Sequence, residues 1–252
     1  MYKAKRILYQ TFIITLFLLA AAAIHFILFP YESRCMLIDL SGLKKEGRLY
    51  FSEGTPQSTK DSLRSLIEKA SIRVSNFWGE KRADPKFIYC DNEEDFKIYG
   101  SKEVLPAVTM SKLGHYIVIS REGLDLDIIS HELSHTELYE RVGFSNKTFN
   151  LPLWFDEGLA MQNDFRDYYS EDTLKALSAN FTKLPGIREL ETPDDFYAGT
   201  PKKIMLNYMT ARHEVLNWYT KPKLDKFIEL INSGEDFEAA YLQKEEPASE
   251  DN

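Results

Sequence analysis

"ISHELSHTEL", Ile129–Leu138, is the stretch on which the reading of this chain turns. It contains the pattern His-Glu-x-x-His, formed by His131, Glu132 and His135. The two histidines stand four residues apart, so on a helix they project from one face, about one turn from each other. Their imidazoles can then converge on one Zn²⁺ at about 2.0–2.1 Å each. Glu132 leaves such a helix about 100° round from His131, too far to share the ion comfortably. It still reaches a water beside the ion, which suits a general base. A random order of these letters yields the pattern in roughly one such chain per hundred, so the surroundings decide.

Those surroundings favour a helix packed on a sheet. No Gly or Pro interrupts Asp125–Arg141, and Ile128, Ile129, Leu133 and Leu138 supply apolar faces. The pattern predicts a helix over about Asp125–Val142. A catalytic zinc site also needs a third protein ligand and an open fourth position. Glu157, in "LPLWFDEGLA" (Leu151–Ala160), follows His135 by 22 residues. That length lets the first helix end, a loop at "GFSNKTFN" turn, and a second helix start near Pro152, a residue suited to a first helical position. Gly158 and Ala160 allow helices to approach closely. A solvated surface carboxylate fits poorly between bulky Trp154 and Phe155 on one side and these small residues on the other.

The N-terminus has a different character. Ile7–Phe29 is a run of 23 residues without Asp, Glu, Lys or Arg. As a helix it is about 34 Å long, enough to cross a hydrocarbon core of about 30 Å. A cleaved signal peptide is the competing reading, with Ala20–Ala23 as the small-residue site. Against it, the apolar run continues through "IHFILF", beyond the usual length of a signal core. "ESRC" is no lipobox before Cys35, and His25 falls near the far end of the span. Lys3, Lys5 and Arg6 precede the run while Glu32 and Arg34 follow it. The positive-inside rule therefore keeps residues 1–6 in the cytoplasm, makes 7–29 a transmembrane anchor, and sends the remainder outside, to a periplasmic or extracellular space.

The exported part carries 28 basic against 39 acidic residues. That balance argues against nucleic acid as a partner and against a polybasic membrane-surface role. The two cysteines, Cys35 and Cys90, fit no metal-ligand spacing. Outside the cytoplasm they could close one disulfide; two unpaired thiols, one of them buried, is the equal alternative.

"CMLIDL" (35–40) and "GRLYFS" (47–52) read as strands around a turn with Gly42 and Gly47. "STKDSLRSLIEKASIRVSNFWG" (58–79) reads as an amphipathic helix, with Ser58 as cap, Asp61 three residues on, and Leu63, Leu66, Ile67 and Ala70 on its apolar face. "KFIYC" is a strand and "EEDFKIYG" a short helix, while "AVTMS" and "GHYIVIS" form a hairpin. Further helices are expected near Glu171–Phe181, Lys202–Tyr219, Lys223–Asn232 and Asp236–Tyr241. Residues 244–252 form an acidic tail with the composition of disorder. The layout is one α+β domain over residues 35–243, a small mixed sheet followed by a mainly helical half.

"HELSH" followed by "LWFDEGLA" resembles the gluzincins, zinc metallopeptidases whose third ligand is a glutamate on a following helix. The second motif is similar to the W-x-x-E-G-x-A of peptidase-MA-like proteins. The resemblance covers about Phe87–Tyr241, taking "NYMTARHEVLNWY" and "LDKFIELINSGEDFEAAY" as the family's closing helices. It implies a zincin-like, thermolysin-type domain holding one Zn²⁺ on His131, His135 and Glu157. It also implies hydrolysis of peptide or protein substrates by a zinc-activated water, with Glu132 as base and Tyr208 as donor to the developing oxyanion. "GHYIVIS" takes the place of the edge strand that pairs with substrate. Three departures stand out. The spacer from His135 to Glu157 differs from that of the aminopeptidases, no Gly-x-Met-x-Asn segment precedes the motif, and Met161 stands where an acidic residue is usual.

A non-catalytic membrane-anchored interaction or assembly protein on the same fold is the alternative function. Asp125, Asp127 and Asp156 are candidate acceptors for the ligand histidines, or else a cap, a first-turn charge and a solvated residue. Arg212 is a candidate partner for a substrate carboxylate, against a surface ion pair. His115 and His213 read as structural, and Ser134 has no Ser-His-Asp context.

Overall fold

The computed structural model describes residues 2–243, so the acidic tail lies outside the described residues. Helix α1 (Tyr2–Leu28) carries the apolar run. Its segment Lys5–Leu28, with mean hydropathy 2.5 and no residue buried, is long and apolar enough to cross a membrane. It ends at Phe29, where Pro30 opens a second helix, α2 (Pro30–Met36). This corrects the first expected strand: Cys35–Leu40 forms the end of α2 and a 3-10 turn, Ile38–Leu40. The reason is periodicity. Cys35 and Ile38 are buried while Met36 and Leu37 face out, a spacing of three that a strand, with its period of two, cannot produce.

Five strands form one mixed sheet: β1 (Lys44–Glu46), β2 (Leu49–Phe51), β3 (Lys86–Tyr89), β4 (Ala107–Met110) and β5 (Tyr116–Ile119). Their spatial order is β1-β2-β3-β5-β4. The outer pairs β1/β2 and β5/β4 are antiparallel and the inner pairs β2/β3 and β3/β5 parallel. β1 occupies part of the expected turn; all three of its residues are exposed, so no apolar pattern marks it. Gly47, with φ of 63°, closes the two-residue turn into β2, a conformation that favours glycine.

Side-chain alternation divides two cores across the sheet. Leu49, Phe51, Phe87, Tyr89, Ile117 and Ile119 face the larger one, beneath α3 (Gln57–Trp78) and α5 (Leu126–Phe149). Tyr50, Ile88, Tyr116 and Val118 face the smaller one, with Cys35 of α2 and Phe96 of α4 (Glu93–Tyr99). Every residue of β5 is buried, because helices cover both faces of an interior strand. The edge strand on this side is therefore β4, not "GHYIVIS". Cys35 and Cys90 are free thiols in the smaller core, and burial pushes Cys35 up to about 12.

α3 starts at Gln57 behind Pro56, without the expected Ser58 cap; Asp61 instead accepts from Gln57 and Arg64. The C-terminal half is helical: α6 (Leu153–Ala160), α7 (Glu171–Leu177), α8 (Pro193–Phe196), α9 (Pro201–Trp218), α10 (Lys221–Ser233) and α11 (Phe237–Tyr241). α7 stops short of Phe181 because Ala179, Asn180 and Phe181 all take positive φ. α6 is buried from Trp154 to Ala160. Trp154 and Phe155 pack edge-on against Phe237 and Tyr241, and Phe155 also meets Trp218 and Phe227. The molecule is α+β: its strands fall between Lys44 and Ile119 with α3 and α4 among them, and the chain after them is helical.

Candidate metal centre

α5 begins where Asp125 accepts hydrogen bonds from the amides of Asp127 and Ile128, at 2.8 and 3.2 Å, satisfying donors that the helix itself cannot. Ile128, Ile129, Leu133, Leu138 and Val142 turn into the larger core. The remaining face presents His131, Glu132 and His135 to a cleft of about 620 Å³. At the back of the helix a buried pair, Glu137 and Arg141, clamps it to the end of α3. Glu137 accepts from the amides of Arg82 and Ala83, and Arg141 donates to the carbonyls of Trp78 and Glu80.

Gly143 then breaks α5, with φ 77° and ψ 168°. The expected loop after Val142 is instead this break followed by one more helical stretch, residues 144–149. The chain returns as α6 behind Pro152 and brings Glu157 into the cleft. Gly158 makes the approach possible: a Cβ there would lie 2.6 Å from both the carbonyl oxygen of Ala211 and Val215 Cγ2 on α9.

Glu157 Oε2 stands 3.3 Å from His131 Nε2 and 3.5 Å from His135 Nε2. The two Nε2 atoms are 3.1 Å apart. Tetrahedral ligands at about 2.0–2.1 Å from zinc stand about 3.3–3.4 Å from one another, so these three atoms outline one face of such a tetrahedron. Glu157 Oε2 is buried and without a hydrogen-bond partner. An oxygen so placed costs free energy unless something positive meets it. His131, His135 and Glu157 form a buried group that could hold a metal ion.

The surroundings aim these ligands. His135 Nδ1 donates to Asp156 Oδ1 at 2.8 Å, and Lys147, from the helical stretch after Gly143, holds the other oxygen of Asp156. Burial works against charge on His135, but the Asp156 and Glu157 carboxylates outweigh it and hold the imidazole up to about 9. Burial alone would raise Asp156; His135 and Lys147 reverse that and keep it an anion. Glu157 is lowered in the same way, chiefly by His135, while Tyr197 Oη donates to its Oε1 at 2.7 Å. His131 Nδ1 faces the fully buried Asp164 at 3.9 Å, and Arg166 pairs with that carboxylate. Thr109, on the edge strand, donates to Glu132 Oε2 at 2.7 Å and to the Glu132 carbonyl at 3.1 Å.

The other sequence candidates divide cleanly. Tyr208 lines the cleft, its ring 6.2 Å from that of His131; burial and the nearby Glu157 charge push its hydroxyl far up, so it stays a donor. Among the aspartates, Asp156 meets a ligand histidine, Asp125 caps α5, and Asp127 pairs with Arg73 and accepts from the Phe165 amide. Arg212 is half-buried and donates to the carbonyl of Tyr169 at 3.1 Å, in place of the surface ion pair. His115 bridges Ser111 and Glu140, His213 stacks on Phe181, and His25 meets Ser33. Ser134 bonds Ser130 and Asn163.

Sequence reasoning missed Thr109, Lys147, Asp164 and Tyr197. None belongs to a motif or a periodic face, and each arrives through a tertiary contact. Fold and site together define an α+β protein with a buried group able to hold a metal ion in a cleft beside its edge strand. A scan against protein-family models finds no match for the sequence, and a search of curated proteins finds none either.

Proposed function

We propose that this protein is a zinc-dependent metallopeptidase of the gluzincin kind, anchored in a membrane by α1 with its body outside the cytoplasm. The observation that carries the reading is the triangle of His131 Nε2, His135 Nε2 and the partnerless Glu157 Oε2, with Glu132 in the same cleft. Two imidazoles and one carboxylate are a donor set suited to zinc, which when bound lowers the pKa of a water and polarises a carbonyl.

The chain's own groups supply the rest. Thr109 occupies Glu132 Oε2 and leaves the other carboxylate oxygen to take a proton from the attacking water. The same carboxyl then returns that proton to the leaving amine. Edge strand β4, whose residues Ala107–Met110 line the cleft, offers an extended peptide backbone groups on its unpaired side. Tyr208, protonated across the neutral range, donates to the oxygen on which negative charge develops. The basic residues before the span set the orientation, Lys5 and Arg6 being nearest to it.

The test uses the full chain in detergent. Metal analysis should return one zinc per chain, and a broad peptide library should be cut, with products read by mass spectrometry. Glu132→Gln should keep the zinc and lose cleavage by about 100-fold or more. Absence of stoichiometric zinc would sink the reading. Zinc without cleavage would favour a non-catalytic assembly protein instead.

A further inference from the structure

The junction of α1 and α2 forms part of the wall of the cleft that holds the metal-binding group. Leu28, Phe29, Pro30, Tyr31 and Glu32 line the same cavity as His131, Glu132 and Glu157. The apolar segment ends at Leu28, so the residues that leave the membrane are also cleft residues. No slack separates anchor from body. His25 Nδ1 meets Ser33 Oγ at 2.8 Å, and the Ser33 amide donates to the Phe29 carbonyl at 3.0 Å. Glu32, itself buried, accepts from the amides of Lys112 and Leu113 at 2.6 and 3.1 Å in the β4–β5 turn. Arg34 donates to the Ile98 carbonyl at 3.0 Å, and Cys35 is fully buried.

The rim continues the same character. Lys112 Nζ lies 4.0 Å over the Phe29 ring, and Tyr139 Oη reaches the Lys112 carbonyl at 3.5 Å. From Tyr139 a row of rings runs to Phe144 and then Phe149, with centroids 6.4 and 5.9 Å apart. Phe149 is 77% exposed and Phe144 44%. The exposed Phe144 and Phe149 rings, with Lys112 at the end of the span, match an apolar and basic surface that sits at a headgroup–acyl boundary. Where that segment spans a membrane, a cleft with that rim, fixed without a linker to its exit, opens at the headgroup layer.

We infer that the cleft serves polypeptides rooted in the same membrane, and acts on the segment within about ten residues of their span, an extended length of about 33 Å. The inference rests on the peptidase reading above. A soluble chain has to enter the headgroup layer to reach His131 and Glu157. A juxtamembrane segment is already there, and lateral diffusion keeps its local concentration high.

The experiment puts the full chain, with zinc, into phosphatidylcholine vesicles with two reporters of the same orientation. Each reporter has one membrane span and the same randomised ten-residue segment. In one the segment follows the span directly; in the other a helical spacer of about 40 residues lifts it by about 60 Å. A third arm offers the randomised segment as a soluble peptide. Both tethered reporters share one surface concentration, so tethering alone does not favour either. The inference expects the near segment to be cut at least 10-fold faster than the distant one. Equal rates, or faster cutting of the distant or soluble segment, would overturn it and leave the peptidase reading standing. If no arm is cut beyond the Glu132→Gln background, the peptidase reading falls, and this inference with it.

Discussion

Asp156 Oδ1 accepts from His135 Nδ1 at 2.8 Å, while the next residue, Glu157, faces Nε2 of the same ring at 3.5 Å. Two adjacent residues of α6 thus fix both the tilt of one imidazole and the tautomer that leaves Nε2 available to a cation. Removing the charge of Asp156 while keeping its shape should loosen that control. Asp156→Asn is expected to weaken zinc binding by about 10–100-fold, read by competition titration against a chelating dye. An unchanged affinity would mean that Asp156 serves only Lys147.

Metal should matter for folding as well as for chemistry. Glu157 Oε2 is buried without a partner, and the carboxylates of Glu157 and Asp156 sit close together beside two histidines. Anything that binds only the folded state stabilises it by mass action. At a zinc concentration about 1,000 times its Kd the gain is about 4 kcal/mol, which for a body of this size raises Tm by about 8–16 °C. Melting curves by circular dichroism with zinc and with a chelator give the answer. Coincident curves would show that the group binds no zinc.

The approach of α6 to α9 depends on Gly158, since an added methyl would meet backbone at Ala211 as well as Val215. Gly158→Ala should therefore destabilise the fold by about 1–3 kcal/mol through overpacking, although alanine is the better helix former. The expected zinc stoichiometry at saturation stays at one, because Glu157 is moved and not removed. A variant as stable as the parent in urea would show that the two helices can part without cost.

Glu137 and Arg141 form the other stability test. The pair is buried, and both groups also hold backbone of the segment after α3. Glu137→Ala leaves the guanidinium uncompensated and should cost about 3–5 kcal/mol, seen as a lower urea midpoint with little change in slope. A loss below about 1 kcal/mol would place the pair in water.

The parts of this molecule that were legible in the sequence are those set by local periodicity. His131 and His135 share a helix face because four residues make about one turn, and Glu157 follows at a spacing that a break and a second helix can close. The strands Lys86–Tyr89 and Tyr116–Ile119 were equally plain as short apolar runs. That neither lies at an edge was not, since that depends on the order in which distant segments pair. The uninterrupted burial of Tyr116–Ile119 is a mark of the sheet's interior. Lys44–Glu46 was invisible for the opposite reason, being a strand with no buried side chain. Cys35–Leu40 misled because its apolar letters run unbroken from Cys35 to Ile38 while its burial has a helical period. Thr109, Asp164 and Tyr197 reach the site only through tertiary packing, which no window of sequence records.

Two of the tyrosines that line the cleft, Tyr197 and Tyr208, should part ways when each is shortened. Tyr197 donates to Glu157 Oε1, so Tyr197→Phe removes a hydrogen bond that orients a ligand. Its effect should fall on zinc affinity, with cleavage recovering as zinc is raised. Tyr208 lies against the rings of His131 and Tyr197, at 6.2 and 6.3 Å. If its hydroxyl meets the developing oxyanion, Tyr208→Phe should leave zinc affinity and KM close to those of the parent and lower kcat by about 10²–10³-fold. The comparison is read as kcat and KM on one cleaved library peptide at saturating zinc, beside a zinc titration of each variant. A fall in kcat for Tyr197→Phe alone would transfer the donor's role to the residue that the sequence did not single out.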